Sequence, residues 1–302
     1  MQNNKKFGYV VIVGSPNTGK STLTNAIVGS KVTIVSPKAQ TTRSRVTGIK
    51  IVENTQIVLI DTPGIFNLAG NLNNKLNRSI VATAKNSLEN ADVICFMIDV
   101  TKGLRKNEEI VLKELEKHKS PKILVLNKID LINKTKLFEI AKNISEKADF
   151  QKVFMISASK NDGVLELEKY LATSLPSGDW QFPEDEISTI QTQFLCAEIT
   201  REKLFNALQE ELPYGLYVEN EKFEESEKSI KIHQAIITNS EMHKKIIVGK
   251  AGSMIKKIGE ESRKDIENIL GKKTHLFLFV KVTEGWQNKN QAYISSQIDL
   301  AK

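Results

Sequence analysis

The sequence predicts a doubly wound, mostly parallel α/β sheet followed by a smaller α+β domain, and three observations point there. Five short runs, Tyr9–Val13, Gln56–Ile60, Val93–Asp99, Lys122–Asn127 and Val153–Ser157, are nearly apolar throughout instead of alternating. That is the pattern of strands covered on both faces. Segments with helical spacing separate them, for example Val111, Leu112, Leu115 and then Val164, Leu167, Leu171. Past residue 186 this strand-then-helix rhythm gives way to a different order of elements.

Arg45–Glu53 reads as an added edge strand of the first domain, which is expected to span 1–178. Pro176, Ser177, Gly178 and Pro183 break both periodicities, so 179–186 reads as a linker and 187–302 as the second domain. In that domain a helix is expected over about Ala197–Leu212, then strands near Leu216–Asn220 and Ser229–Ile237. A short helix before Gly249 and a longer one after Gly252 follow, the latter aligning Ile255, Ile258, Ser262, Ile266 and Ile269. The last strand, His275–Val282, alternates Leu276, Leu278, Val280 and Val282 on one side.

The chain has 302 residues, 40% of them hydrophobic, which suits two domains with proper cores. No apolar run approaches the roughly 18 residues of a membrane span. Tyr9–Val13 is too short for a signal-peptide core, so a cytoplasmic location is expected. Cys95 and Cys196 lie far apart and the four histidines are scattered, which argues against a disulfide framework or zinc site. A net charge of +7 permits an anionic partner, nucleic acid or a membrane surface.

Gly14-Ser15-Pro16-Asn17-Thr18-Gly19-Lys20-Ser21, followed by Thr22, fits G-x-x-x-x-G-K-[ST] between a strand and a helix. Such a loop cradles phosphates with backbone N–H groups; Lys20 would reach the outer phosphates and the Ser21 hydroxyl a magnesium ion. The next strand ends in Asp61-Thr62-Pro63-Gly64, where Asp61 can hold magnesium and the Gly64 N–H can meet a γ-phosphate. Between the two lies Gln40-Thr41-Thr42-Arg43. Thr42, with Thr41 as the alternative, is expected to add a hydroxyl to the metal when the γ-phosphate is present.

Asn127-Lys128-Ile129-Asp130 selects the base. The two acceptor oxygens of Asp130 match guanine N1–H and its exocyclic amine, whereas adenine would leave them unpaired. Lys128 can cover the base and Asn127 can tie this loop to the phosphate loop. Ser157-Ala158-Ser159 is a weaker match to a loop that touches the guanine oxygen. Gly249-Lys250-Ala251-Gly252 joins two helical segments amid Lys244, Lys245, Lys256 and Lys257, with no acid between Met242 and Ile258. Glycines there let nucleic-acid phosphates approach the main chain, and the lysines supply a salt-dependent attraction.

These residues resemble the GTPases of the translation-factor-related class, specifically the bacterial Era family. The resemblance rests on Gly14–Ser21, Gln40–Arg43, Asp61–Gly64 and Asn127–Asp130, with a terminal KH domain carrying Gly249–Gly252. It implies a magnesium-dependent GTPase, a monomer with GTP and GDP as ligands. It further implies binding near the 3′ end of 16S ribosomal RNA and a role in maturing the small ribosomal subunit. GTP would hold the RNA-competent arrangement and hydrolysis would release it. Ile65 stands where Ras-like proteins have a water-orienting glutamine, so intrinsic hydrolysis is expected to be slow. Asn17 has two readings: local loop stabilisation, or, as in similar GTPases, a ligand to potassium that supplies a catalytic positive charge. Two other classes of function stand beside this one. A small-molecule P-loop kinase or ATPase is disfavoured by Asn127–Asp130. A switch in cell-cycle signalling or at the inner face of the cell membrane would use the basic face on lipid.

Overall fold

The computed structural model describes residues 5–38, 41–43, 45–64, 86–209 and 212–286. Two compact units emerge. The first comprises residues 1–33 and 42–189; the second comprises residues 34–41 and 190–302.

The first unit is built on a six-stranded sheet in the order β2-β3-β1-β4-β5-β6. Its strands are β1 (Lys6–Val13), β2 (Val46–Val52), β3 (Thr55–Asp61), β4 (Val93–Asp99), β5 (Lys122–Asn127) and β6 (Lys152–Ile156). All neighbours run parallel except β2, which takes the edge position expected for it and pairs antiparallel with β3. Helices α1 (Lys20–Val28), α2 (Lys106–Leu115), α3 (Lys134–Ser145) and α4 (Val164–Ser174) divide between the two faces. Val10, Ile12, Leu59 and Val125 pack with α1 and α4, and Val11, Ile60, Phe96 and Leu124 with α2 and α3. Adjacent strand residues therefore serve opposite cores, which is why these strands are apolar throughout. The carboxyl ends of β1, β3, β4 and β5 converge, where ligands of such sheets bind.

The segment read as a linker, and the residues just before it, have partners in this unit. Phe7 donates its N–H to Pro176 O, and Gln56 bonds the backbone of Gln181 and Phe182. Cys95 and Cys196 are free and buried, and burial pushes both thiols up to about 12.

The second unit has a three-stranded sheet, β7 (Leu216–Glu225), β8 (Ser229–Thr238) and β9 (Lys273–Val282), with β8 parallel to β9. Helices α5 (Thr192–Ala207), α6 (Glu241–Val248) and α7 (Ser253–Leu270) complete it. Ile258, Ser262 and Ile266 form the buried stripe of α7, with Ile255 and Ile269 alongside, as expected. The first helix is shifted from its expected position. α5 begins five residues earlier and ends at Ala207, because Leu208 turns extended and Leu212–Gly215 forms a separate short turn around Pro213.

Candidate nucleotide and nucleic-acid sites

The phosphate loop leaves β1 at Val13 and enters α1 at Lys20. Gly19 adopts φ 102°, and a Cβ there would lie 2.3 Å from the Asn127 amide, so only glycine lets the two loops touch. The Lys20 ammonium is buried and donates to the Gly14 and Ser15 carbonyls, each at 3.0 Å. Burial lowers its pKa to about 8, against an opposing pull from Asp61. An incoming polyphosphate would replace two neutral acceptors with anionic ones.

Around the carboxylate of Asp61 the sequence-predicted metal residues come together. Asp61 Oδ2 accepts from Ser21 Oγ at 2.6 Å and from Thr42 Oγ1 at 3.4 Å, while the two hydroxyls lie 2.9 Å apart. Thr42, rather than Thr41, is the threonine at this cluster; the Thr41 hydroxyl donates to Lys38 O. Asp61 Oδ1 is buried without a hydrogen-bond partner, and burial raises the pKa of the group. Two hydroxyls beside a buried carboxylate that keeps an orphan oxygen suit a hard cation such as magnesium. Thr62 anchors this turn by donating to Ile12 O at 2.8 Å, and Gly64 rests against the ring of Pro16.

Asn127 joins three loops. Its Nδ2 donates to Thr18 O at 2.7 Å and its Oδ1 accepts from the Ala158 N–H at 2.9 Å. The latter bond occupies one backbone donor of the loop that the sequence matches, weakly, to one touching the guanine oxygen. Lys128, in the left-handed region at φ 70°, donates to Asn17 O at 2.8 Å and to Asp99 Oδ2 at 2.7 Å. The Ser157 hydroxyl and then Lys160, 3.3 Å away, hold Asp130 below the usual carboxylate range. Ser159 lies 3.4 Å from Ser157, hydroxyl to hydroxyl. Asp99, Thr33 (3.3 Å from Asp61) and Lys160 are site neighbours that sequence reasoning missed. Single polar residues, one at the end of β4 and two in loops, have no spacing signature that could have found them. Gln40 and Ile65 lie outside the described residues.

In the second unit, Ser240 caps α6 and Gly249 closes it at φ 74°. A Cβ on Gly249 would meet Met254 Cβ at 2.7 Å, so the loop between α6 and α7 can be this tight only with glycine. Lys250–Gly252 makes one short turn, leaving Lys250, Lys256 and Lys257 exposed. Behind them a groove of about 340 Å³ runs between α7 and β9, lined by Ile255, Lys256, Gly259, Arg263, Leu276 and Leu278 among others. Arg263 and the edge of β9 are groove elements that the loop motif does not announce.

Two family models match the chain, 50S ribosome-binding GTPase over residues 9–128 and KH domain over residues 211–287. GTPase Era of Bradyrhizobium diazoefficiens is 45% identical over 296 residues, covering 98% of this chain and 95% of the relative. GTPase Era of Brucella suis is 45% identical over 294 residues, covering 97% and 93%. A solved Era in complex with MgGDPNP and nucleotides 1506–1542 of 16S ribosomal RNA superimposes with a TM-score of 0.92. It is 39% identical and is covered completely, with 97% of this chain. A point variant of Aquifex aeolicus Era bound to GDP.AlF4- gives 0.91 at the same identity and the same coverage of both chains. A phosphate loop and an Asn127–Asp130 loop at the carboxyl ends of one sheet, a KH domain behind them in sequence, and such relatives along nearly its whole length make this chain a member of the Era family of GTPases.

Proposed function

We propose that this GTPase binds 16S ribosomal RNA and acts in assembly and maturation of the small ribosomal subunit, with GTP hydrolysis switching the RNA contact. The observation that carries this reading is the Gly249–Gly252 loop, flanked by exposed lysines at a groove, in the same chain as a guanine-nucleotide site. The identity of the RNA comes from the similar Era solved with nucleotides 1506–1542 of 16S ribosomal RNA. Residues 1–178 act as the nucleotide module and 187–302 as the RNA module; the protein works as a cytoplasmic monomer.

In this reading the loop Gly14–Thr22 cradles the phosphates with the N–H groups of its residues other than Pro16, and Lys20 turns from the Gly14 and Ser15 carbonyls to the outer phosphates. Ser21, Thr42 and Asp61 hold magnesium, which when bound offsets the negative charge of the outer phosphates. Gly64 offers its N–H to the γ-phosphate. Thr42 adds its hydroxyl only in the triphosphate state, which orders its loop. Asn127, Lys128 and Asp130 select guanine, with Ser157, Ala158 and Ser159 closing the base pocket. Catalysis is therefore positioning and charge compensation, with Lys20, Thr42 and Gly64 as the contributing groups. Asn17 would hold a potassium ion, whose positive charge would supplement that set. Hydrolysis should be faster in potassium than in sodium, and Asn17→Ala should erase the difference; equal wild-type rates in both salts would remove potassium from the mechanism.

The test is to crosslink the protein to RNA in lysate, with and without a non-hydrolysable GTP analogue, and sequence what is recovered. Reads should concentrate at the 3′ end of 16S ribosomal RNA and increase with the analogue. Reads spread evenly over ribosomal RNA, with tighter binding to anionic lipid vesicles at matched salt, would favour the membrane reading instead.

A further inference from the structure

The sheet of the second unit has two faces of different character. One packs Leu216, Ile232, Ile236, Leu276 and Leu278 toward the helices. On the other, the β7 side is closed by Trp286, which is 2% exposed, packs against Tyr217 with ring centroids 4.8 Å apart and planes tilted by 44°, and donates its indole N–H to Gly215 O. The β9 side is open. There His233 and Phe277, paired in register, lie nearly parallel with ring centroids 4.7 Å apart and 20° between planes. Phe277 is 47% exposed despite its size. Lys231 sits 5.9 Å from the centre of that ring, and Lys273 and His275 are exposed on the same face.

On the β9 side of this face the exposed charged groups are the cations Lys231 and Lys273. Among the neighbouring acids of β7, Glu221 pairs with Lys281, Glu224 with Lys222 and Glu225 with Lys272, and Glu219 accepts from the Tyr217 hydroxyl; Glu224 also faces Lys231 in register across β7 and β8. Lys231 and Lys273 have no ion pair among the described residues. An apolar partner would cover these ammonium groups without compensating them, which is costly. A nucleobase with its phosphates compensates them, because a flat ring accepts any base on its π-face and the lysines accept the backbone.

Position joins this face to the groove. β9 is the free edge of the sheet, and Phe277 lines the groove together with Leu276 and Leu278. The strand is thus a lip: groove on one side, stacked rings on the other. We propose that the outer face of β8–β9 is a second nucleic-acid contact, where a single-stranded RNA leaving the groove over β9 stacks one unpaired base on Phe277 and places flanking phosphates at Lys231 and Lys273. His233 backs the ring and fixes its orientation. This rests on the RNA-binding function proposed for the chain and adds to it a site beyond the four or so nucleotides a KH loop clamps.

The experiment uses the full chain and nested oligoribonucleotides from nucleotides 1506–1542 of 16S ribosomal RNA, one that fills only the groove and one about twice as long. Phe277→Ala should weaken the longer RNA about tenfold and the shorter one, which meets Phe277 only at the lip of the groove, by far less. Phe277→Trp should restore the longer one, and thermal unfolding should be alike for all three proteins. Equal loss for both lengths would make Phe277 part of the groove alone and overturn the proposal. So would an unchanged affinity for the longer RNA, or a loss that tryptophan does not rescue. A Phe277→Ala change in self-association, read by light scattering, with RNA binding intact would assign the face to a second copy and likewise end it. If neither oligonucleotide binds the wild-type chain, RNA binding itself fails and the Phe277 contact falls with it, an outcome distinct from a loss confined to the longer RNA.

Discussion

The Lys128 ammonium lies 2.7 Å from Asp99 Oδ2 and 2.8 Å from the carbonyl oxygen of Asn17, so one side chain ties the base-selecting loop to the phosphate loop and to the end of β4. Burial pushes the Asp99 carboxyl up, but hydrogen bonds from Lys128 and Thr101 outweigh it and hold the group ionised. Asp99→Asn keeps the shape and removes the charge. GTP and GDP affinities should both fall about tenfold, because charge-assisted hydrogen bonds are worth more than neutral ones. Selection against adenine should persist, since Asp130 is untouched. Titration with fluorescent guanine and adenine nucleotides separates these outcomes.

The parts of this site that repeat a spacing were legible in the sequence, and the parts that depend on distant partners were not. Gly14–Ser21, Asp61–Gly64 and Asn127–Asp130 each follow an apolar strand, and a strand end is where a parallel sheet presents ligand-binding groups. Asp99 also ends such a strand but has no companion residue at fixed spacing, so its role appears only once Lys128 is beside it. In α5, Thr200, Arg201 and Glu202 are buried together with Cys196, Ile199 and Leu204, which erases the apolar stripe that marks a helix boundary. Residues 34–41 cluster with the second unit through contacts some 160 residues away in sequence, such as Arg201 with Thr41 O, and no local pattern encodes those.

Lys250, Lys256 and Lys257 differ in their surroundings. Lys257 is 3.9 Å from Glu261, whereas Lys250 and Lys256 have no ion pair among the described residues. A protein cation on a phosphate releases counterions, so each true contact contributes about 0.7 to the salt slope of single-strand binding. Lys250→Ala and Lys256→Ala should each lower that slope by about this amount, and Lys257→Ala by less. GTP hydrolysis by the RNA-free protein should be unchanged. Filter binding over a salt series and a phosphate-release assay give both readouts.

Lys20 predicts a proton linkage. Its pKa of about 8 in the nucleotide-free fold lies well below that of an exposed lysine, near 10.5. Between these values the unfolded chain binds more protons than the folded one, so the nucleotide-free protein gains stability as pH rises through that window. Nucleotide phosphates favour the charged ammonium and pull its pKa back up. Binding at about pH 9 should therefore take up close to one proton, and affinity should decline above about pH 8 while staying level below it. Calorimetry in buffers of different ionisation enthalpy measures the uptake. Lys20→Arg, which does not titrate there, should abolish it.

Arg201 is 2% exposed and bridges Glu198 to the Thr41 carbonyl, with Nη1 left unpartnered. Removing it strands a partly buried carboxylate and a buried carbonyl, so Arg201→Ala should destabilise the second unit by about 2–4 kcal/mol. Arg201→Met combined with Glu198→Leu replaces the pair by apolar bulk and should cost less than half as much, because a buried ion pair is mostly repayment of its own desolvation. Trp286 is buried in this unit and Trp180 lies in the other, so Trp180→Phe leaves a single fluorescent reporter of the right region. Urea unfolding followed at that reporter should show the midpoint drop for Arg201→Ala and its partial recovery in the apolar pair. A midpoint that does not move for Arg201→Ala would mean that water replaces the guanidinium without cost and that the bridge contributes nothing to the fold.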